Sequence, residues 1–353
     1  MKNRTKKILA AIVAGTMTMA LLSGCGNSGS KSSGSGSSES SEKATKVVIG
    51  TQEMPNDEGI AKAMDSFSKE MGVEVEIKQF DSGKDVNTAL ASGSIDFGLL
   101  GSCPATLAIA QDLGVECIWI HEVLGATESF VARNESGAKT VADLKGKTIA
   151  TPFASTAHFS ALHALEEAGL SESDVTLLDM QPSEIYAAWQ NGQIDATYVW
   201  EPTLTELGDG TVLLTSADMA DAGYMTSNVE LVRTEFAEAN PELVTAYIKA
   251  VSGAVDLYKN TEDEAVSTIA KAMELSTDAA ASQMSGSIWL TAEEQLGADY
   301  FGTSDAKGAL VQNLYDTAAF LKDQGSIAEV PDKSVFEKAV NGSYIEEAVK
   351  AAK

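Results

Sequence analysis

The chain has 353 residues and a formal charge of −26, with 25 lysine and arginine residues against 51 aspartate and glutamate residues. The first 24 residues hold four bases and no acid, so the remainder carries a charge of −30. Because a phosphate backbone repels such a surface, this balance argues against a nucleic-acid binder, and it disfavours attachment to membranes through basic residues. Hydrophobic residues at 44% and charged residues at 22% are typical of a globular protein, and the length predicts two domains or one two-lobed domain.

The N-terminal segment has the pattern of a secretory signal. Residues 1–7 are basic and residues 8–22 are apolar, a run shorter than the ~20 residues that a membrane-spanning helix needs. A short N-terminal membrane anchor is the alternative interpretation. The tetrapeptide LSGC at 22–25 resembles the bacterial lipoprotein signal, which predicts a signal peptide over 1–24 and a lipidated Cys25. Residues 25–45, rich in serine and glycine, then read as a flexible tether.

After the tether, strand and helix patterns alternate. Strands are predicted over 46–50, 73–80, 95–99 and 115–121, and helices over 57–71, 84–91 and 104–110. The order then restarts, with strands over 147–151, 175–180 and 196–199 and helices over 155–168 and 183–190. This alternation predicts parallel sheets covered by helices.

A short motif recurs at a constant offset of 99 residues. Its members are a helix that ends at glycine and an Ile-Asp pair that opens a strand: Ala89, Gly93, Ile95 and Asp96, then Ala188, Gly192, Ile194 and Asp195. Coincidence of a common helix–glycine–strand order is the alternative, but the matching elements around it favour two homologous lobes. Because Asp96 and Asp195 recur at the same turn, we expect both to be structural.

The last third of the chain is mostly helical in pattern. Strands over 212–214 and 225–232 precede helices over 241–258, 262–273, 277–285, 291–296 and 304–324. We expect these helices to pack on the first lobe, with crossings between lobes near 128–133 and 228–233 that form a hinge. The prediction is an α/β fold with lobe 1 over 46–131, lobe 2 over 132–227, and the hinge return with C-terminal helices over 228–353. The groove between the lobes is the expected ligand site.

Two strand-to-helix junctions have the composition of an anion site. Ser155 and Thr156 follow a strand and begin a helix, where free N–H groups, hydroxyls and the helix dipole together favour an anion. Ser102 occupies the equivalent junction of the first lobe. Simple capping of each helix by its serine is the alternative interpretation.

Acidic and aromatic residues at other strand ends indicate a ligand that also carries positive charge. The acids and the aromatic residue are Glu53, Glu122, Glu128, Glu201 and Trp200, and the amide Gln52 stands beside Glu53 after the first strand. Trp200 is suited to stack on an ammonium group, and a carboxylate can pair with it. With 51 acids in the chain, a solvated surface is the alternative for each acid taken alone.

Three segments carry a specific resemblance: GSCPA at 101–105, DLKGKTIATPFASTAHFS at 143–160 and AAWQNGQIDATYVWEP at 187–202. They resemble the taurine-binding proteins of bacterial ABC importers, within the larger group of sulfonate- and nitrate-binding proteins. The resemblance implies a bilobal type II periplasmic-binding fold that closes on taurine, with Ser155 and Thr156 on the sulfonate.

The same resemblance implies roles for other positions. Gln52, Ser102 and Trp200 match positions that line the cleft, and Glu128 matches an acid of the first crossing strand. The family usually carries an aspartate for the amine where this chain has Asn228, so we expect weaker ammonium binding unless Glu201, Glu53 or Glu122 replaces that charge. The implied partners are a small sulfonate, an ABC permease with its ATPase, and the membrane through the lipid anchor; we expect a monomer on the extracytoplasmic face.

The sequence is also compatible with other functions. The ligand can be another small anion or zwitterion, such as nitrate or betaine, and a surface sensor or adhesion lipoprotein is a further reading. Related folds include enzymes of thiamine-pyrimidine synthesis. However, His158 and His163 are five residues apart and cannot form an i, i+4 zinc pair, and no third group orients His158 towards Ser155. We therefore expect no catalytic residues, metal or cofactor, and we expect Cys103 and Cys117 to be small buried residues unless the fold brings them together.

Overall fold

The computed structural model describes residues 43–352. The predicted signal peptide over 1–24, Cys25 and the tether as far as residue 42 lie outside the described residues. Ala44 donates its N–H to Oδ1 of Asn240 at 3.0 Å, so it already belongs to the folded body. Within residues 43–352, no helix is both long enough and apolar enough to cross a membrane.

In the part of the chain that the structure describes, ten strands form two five-stranded sheets. The first sheet contains β1 (Lys46–Gln52), β2 (Glu74–Phe80), β3 (Phe97–Gly101), β4 (Val115–Val123) and β10 (Ser227–Arg233), in the order β2-β1-β3-β10-β4. The second sheet contains β5 (Glu128–Ala132), β6 (Thr148–Thr151), β7 (Thr176–Asp179), β8 (Ala196–Trp200) and β9 (Thr211–Thr215), in the order β7-β6-β8-β5-β9.

Helices pack on both sheets. On the first sheet these are α1 (Asp57–Ala63), α2 (Ser66–Met71), α3 (Gly83–Ala91), α4 (Ser102–Ala110), α9 (Thr234–Ala239), α10 (Pro241–Asn260), α11 (Glu262–Ala272), α12 (Thr277–Met284), α13 (Ala292–Gln295), α14 (Leu310–Asp323), α15 (Lys333–Ala339) and α16 (Ser343–Ala351). On the second sheet they are α5 (Thr156–Glu167), α6 (Pro182–Gln190), α7 (Thr203–Glu206) and α8 (Ser216–Asp221). We call each sheet with its helices the first or the second lobe.

The chain passes between the sheets through residues 124–127 and 216–226. The strand that follows each crossing, β5 or β10, runs antiparallel to its neighbours, so both sheets are mixed and not purely parallel as the sequence suggested. The cause is that β5 and β10 each start at the cleft, whereas the strands on either side of them end there. The lobe limits predicted at 131 and 227 would leave β5 in the first lobe, whereas its pairing puts it in the second sheet.

One large apolar core joins the first sheet to the C-terminal helices. It includes Trp119 of β4, Tyr247 of α10 and Leu314 of α14, all fully buried. The second sheet separates two smaller cores, one beneath α5 and one beneath α6. Burial of apolar area on both faces holds each sheet rigid behind the cleft.

The repeated Ile-Asp motif has the same structural role in both lobes. Oδ2 of Asp96 accepts the Val48 N–H at 2.9 Å, and Oδ2 of Asp195 accepts the Thr148 N–H at 2.9 Å. Each aspartate thus ties the start of its strand to the neighbouring parallel strand. The equivalent hydrogen bonds support the interpretation of two homologous lobes and a structural role for both acids.

Two predicted helices differ from those observed. The periodicity over 57–71 predicts one helix, but Asp65 adopts φ +55° and separates α1 from α2, because aspartate tolerates the left-handed region better than most residues. The pattern over 304–324 predicts one helix, whereas residues 301–309 form turns and α14 begins at Leu310. Helices α15 and α16 were not predicted.

Candidate functional site

A cleft lies between the lobes at the carboxyl ends of the parallel strands. Ligands of parallel α/β sheets sit at this edge, beside the N-termini of the helices that follow. The walls bring together eight of the ten predicted ligand residues: Gln52, Glu122, Glu128, Ser155, Thr156, Trp200, Glu201 and Asn228.

A strained turn presents the start of α5 to the cleft. Ala154 has φ +58°, in the left-handed region that side chains other than glycine rarely adopt. Nδ1 of His158 accepts a hydrogen bond from the Ala154 N–H at 3.3 Å. Burial lowers the pKa of His158 to about 4, so the imidazole is neutral and can accept. His158 therefore acts on the turn, and Ser155 hydrogen-bonds its backbone N–H rather than its ring.

The hydroxyls of Ser155 and Thr156, predicted to hold an anion, donate to the protein instead. Oγ of Ser155 donates to the carbonyl of Pro152 at 2.5 Å, and Oγ1 of Thr156 donates to Oε2 of Glu128 at 2.6 Å. The donors left for an anion are the backbone N–H groups of Thr156 and Ala157, which donate to no acceptor within residues 43–352. The cradle is thus made of amides at a helix N-terminus.

The N-terminus of α4 faces that of α5 across the cleft. Gly101 precedes α4 with φ −66° and ψ 156°, and a methyl group added there would lie 2.7 Å from Cγ2 of Thr156. Ser102 does not line the cleft. Its side chain is buried and its Oγ accepts the Ser227 N–H at 3.4 Å, so the predicted hydroxyl donor is turned into the first lobe.

The lobes are closed on each other around the cleft. Besides the Gly101–Thr156 approach, Oγ of Ser183 in the second lobe donates to Oδ2 of Asp81 in the first at 2.7 Å. Phe320 of α14 packs edge-on against Phe159 of α5, with ring centroids 5.0 Å apart. The described conformation therefore has helix N-termini from both lobes within reach of one small molecule.

Three buried carboxyl groups line the cleft: Glu122, Glu128 and Glu201, each at most 9% exposed. None of the residues that line it in the described chain is lysine, arginine or histidine. Burial, joined by the charge of Asp57, raises the pKa of Glu122 to about 7. Burial also raises the pKa of Glu128 to about 7, against the effect of its hydrogen bonds from hydroxyls, and raises that of Glu201. An acidic pocket without a base is suited to a ligand that brings positive charge.

Glu53 lies outside the cleft. Its side chain is exposed and accepts a hydrogen bond from Nε2 of Gln79 at 2.7 Å, in a neighbouring groove that also includes Gln52 and Trp200. Gln52 is the last residue of β1. Its Nε2 donates to the carbonyl of Leu99 at 3.1 Å, and it lines the cleft beside Trp200.

Sequence reasoning missed two segments of the wall. One is the loop after β1, with Met54, Pro55 and Asn56; the other is the end of α12 and the residues after it, with Gln283, Met284, Ser287 and Trp289. The second segment touches the first crossing, where the hydroxyls of Ser287 and Thr127 are 2.6 Å apart. Neither segment has a local signal, since each reaches the cleft only through tertiary packing.

A buried polar cluster holds the loop after β1 in place. Oδ2 of Asp57, the first residue of α1, accepts from Nε1 of Trp119 at 2.7 Å. The ring of His121 lies between Asp57 and Glu230, with distances of 2.6 and 2.9 Å. Although burial opposes it, these two carboxylates raise the pKa of His121 well above its ordinary value. The cluster fixes the first turn of α1 and so the position of Asn56, which caps it.

Cys103 and Cys117 are both free and buried in the first-lobe core. Burial raises the pKa of each thiol far above its ordinary range. They behave as small apolar residues, as the sequence predicted.

Comparison with known proteins identifies the family. The substrate-binding domain of ABC-type glycine betaine transport systems matches residues 45–285. The chain belongs to this family. The taurine-binding periplasmic protein of Escherichia coli (strain K12) is 35% identical over 298 residues, which cover 82% of this chain and 89% of that protein.

Solved structures share the two-lobed fold. The alkanesulfonate-binding protein SsuA from Xanthomonas axonopodis pv. citri, bound to MOPS, superposes with a TM-score of 0.69 at 23% identity, covering 85% of this chain and 99% of that one. The periplasmic nitrate-binding protein NrtA from Synechocystis PCC 6803 gives 0.67 at 16% identity, covering 88% and 90%. Because these proteins are named for different ligands, the fold alone does not choose the ligand of this family member.

Proposed function

We propose that this protein captures a small zwitterionic aminoalkanesulfonate, taurine in the first place, and delivers it to the permease of an ABC importer. One observation carries the proposal: a closed cleft in which free helix N-terminal amides meet three buried carboxyls and, among residues 43–352, no base. The amides suit a sulfonate, and the carboxyls suit an ammonium group. The 35% identity to a protein named for taurine supports the same ligand.

The sulfonate half of the ligand is held at the start of α5. The N–H groups of Thr156 and Ala157 replace its hydration, and the helix dipole adds favourable charge. This arrangement needs no basic residue, which suits a protein whose net charge repels anions at long range. Ligand contacts to both lobes favour the closed state over the open one.

A betaine is the second candidate, favoured by the description of the matching family and by two tryptophans, Trp200 and Trp289, in the cleft wall. Tryptophan faces attract quaternary ammonium groups. The carboxyl groups of the cleft favour the primary amine of taurine, because they can accept hydrogen bonds from its N–H groups. A trimethylammonium group has no N–H to donate.

Calorimetry with a ligand panel tests the proposal. Purified protein lacking residues 1–24 is titrated with taurine, ethanesulfonate, glycine betaine, nitrate and sulfate. We expect taurine to bind at least about tenfold more tightly than ethanesulfonate, since the amine adds hydrogen bonds to a charged group. Stronger binding of nitrate, sulfate or betaine than of taurine would refute the proposed ligand.

We infer that the protein binds its ligand without chemical change. The relatives named above are binding proteins, and Oγ of Ser155 contacts the carbonyl of Pro152 and the backbone of His158, so no Ser–His nucleophile is formed. Recovery of chemically intact taurine after long incubation is the expected result; a product that accumulates with time would favour an enzyme.

We further propose that the protein is a monomer anchored on the extracytoplasmic face through a lipidated Cys25. The E. coli relative is named as periplasmic, and the LSGC sequence at 22–25 supports lipidation. A Cys25→Ala variant is expected to leave the membrane fraction and to lose labelling by a palmitate analogue. Retention of both would exclude this anchor, and light scattering of the soluble form tests the monomer.

A further inference from the structure

The three carboxyls of the cleft differ in how their oxygen atoms are used. Glu128 accepts from Thr156 on Oε2 at 2.6 Å and from Ser216 on Oε1 at 2.7 Å. Glu201 accepts from the N–H of Thr205 on Oε2 at 3.0 Å and from the Thr205 hydroxyl on Oε1 at 2.9 Å. Both oxygens of each side chain therefore accept hydrogen bonds from protein groups. Those of Glu128 come from the first residues of α5 and α8, and those of Glu201 come from α7.

Glu122 is different. Its Oε1 accepts from Nδ2 of Asn228 at 2.5 Å, but its Oε2 has no hydrogen-bond partner within residues 43–352, although that atom is buried. The residue is 5% exposed and lines the cleft. A buried carboxylate oxygen without a donor is costly and is rare in folded proteins. Asn56, whose Nδ2 is also buried and without a partner, lies close enough to lower the pKa of Glu122, but no group of the described chain hydrogen-bonds Oε2 within normal distance. This oxygen can therefore accept a hydrogen bond from a ligand in the cleft.

We propose that Glu122 is the residue that reads the ammonium group of the ligand and makes the cleft select a primary amine. This assignment rests on the proposed function and names the residue behind its specificity. The amine donates an N–H to Oε2 and places its positive charge beside a carboxyl that has no basic partner among the described residues lining the cleft.

Asn228 positions Glu122 for this task. Its Nδ2 donates to Oε1 of Glu122 and also contacts Sδ of Met54 at 3.1 Å. The two residues are register partners on β10 and β4, so the carboxylate is held by the neighbouring strand in a fixed orientation. Because the side chain is already ordered, binding has a smaller entropic cost.

The surroundings of Glu122 make amine binding compete with a proton. Burial, and after it the charge of Asp57, raises the pKa of Glu122 to about 7. The charge of His121 and the hydrogen bonds from Asn228 and Asn56 oppose this rise. Near neutral pH the empty cleft thus holds a proton on Glu122 for part of the time. An ammonium ion displaces that proton, whereas a sulfonate without an amine does not, so binding of taurine releases protons to the buffer.

The test compares Glu122→Gln with Glu201→Gln as a matched control, using calorimetry near neutral pH in two buffers of different ionisation enthalpy. For Glu122→Gln we expect taurine affinity to fall about tenfold or more, proton release to disappear, and ethanesulfonate affinity to stay the same or increase. Because Gln keeps an acceptor for Asn228 and removes a buried charge, this variant should resist urea as well as the wild type or better. For Glu201→Gln we expect equal losses for both ligands, because that side chain supports α7.

Equal losses of taurine and ethanesulfonate in Glu122→Gln would overturn the assignment, as would unchanged proton release. A larger selective loss in Glu201→Gln would transfer the role to that residue and refute the present one. Failure of the proposed function is distinguishable, because it appears in the wild type as an absence of taurine binding. The role of Glu122 is refuted separately, by the comparison of taurine with ethanesulfonate in the two variants.

Discussion

Closure of the lobes is open to a direct steric test at Gly101. A methyl group placed there would lie 2.7 Å from Cγ2 of Thr156 and 3.3 Å from its Oγ1, well inside the ~3.5–4.0 Å of a favourable carbon–carbon contact. The backbone at Gly101, with φ −66° and ψ 156°, accepts any residue. Gly101→Ala should therefore leave the open, ligand-free protein unaffected and penalise only the closed form.

The size of the effect follows from overpacking. An extra methyl group in a packed contact costs about 1–3 kcal/mol, which corresponds to about a 5- to 150-fold rise in the Kd for taurine. Calorimetry gives the Kd, X-ray scattering gives the ligand-induced decrease in radius of gyration, and urea unfolding checks the ligand-free protein. We expect weaker binding, a smaller decrease and an unchanged midpoint.

A second substitution supplies the control. Thr156→Ser removes Cγ2 but keeps the hydroxyl that donates to Glu128, so it should restore most of the affinity lost in Gly101→Ala. If Gly101→Ala binds taurine as tightly as the wild type, or if Thr156→Ser fails to rescue it, the two helix N-termini do not meet in the bound state and the reasoning is refuted.

Three further predictions concern stability. Burial is the chief cause that raises the pKa of Glu122 and of Glu128 to about 7 and that of Glu230 to about 8. The stability that such carboxyls contribute is fully present below their pKa in the unfolded chain and is lost as the pH rises through their pKa in the folded protein. Urea unfolding of the ligand-free protein should therefore give a higher free energy of unfolding at about pH 5.5 than at about pH 8.5, and equal values would contradict this. His121→Leu should lower the free energy of unfolding by about 3–5 kcal/mol because it leaves buried carboxylates unpaired; a loss below about 1 kcal/mol in the same assay would show the cluster to be uncharged. Ser155→Ala should cost about 1 kcal/mol of stability through loss of the helix cap while changing taurine affinity less than about threefold, and a large calorimetric loss would show that its hydroxyl binds the sulfonate.

The lobes and the start of α5 could be predicted from the sequence because their signals are local. Strand and helix periodicity, the glycine turns and the Ser-Thr pair after a strand all lie within a few residues of one another. The repeated Asp96 and Asp195 indicated duplication for the same reason. Even so, the direction of β5 and β10 depends on where the chain leaves one lobe, which no local pattern records.

The roles of individual site residues depend on partners distant in sequence. Glu122 and Glu201 look alike as acids that follow or end a strand, and only the fold shows that Thr205 occupies both oxygens of one while Asn228 occupies a single oxygen of the other. The hydroxyl of Ser155 donates to the backbone carbonyl of Pro152, a contact that the sequence pattern does not reveal. Gln283 reaches the cleft only because α12 packs near the first crossing.

The pairing of Glu122 with Asn228 across two adjacent strands has an evolutionary consequence. Because the two side chains face one another in register, a negative charge can be moved from one strand to its neighbour by two substitutions while it stays at nearly the same point of the cleft. Descendants of a common ancestor can thus conserve a substrate while exchanging the position that recognises it. An alignment of the sequences would then show no conserved acid at either position. A superposition of the structures would show a negative charge at the same place in the cleft.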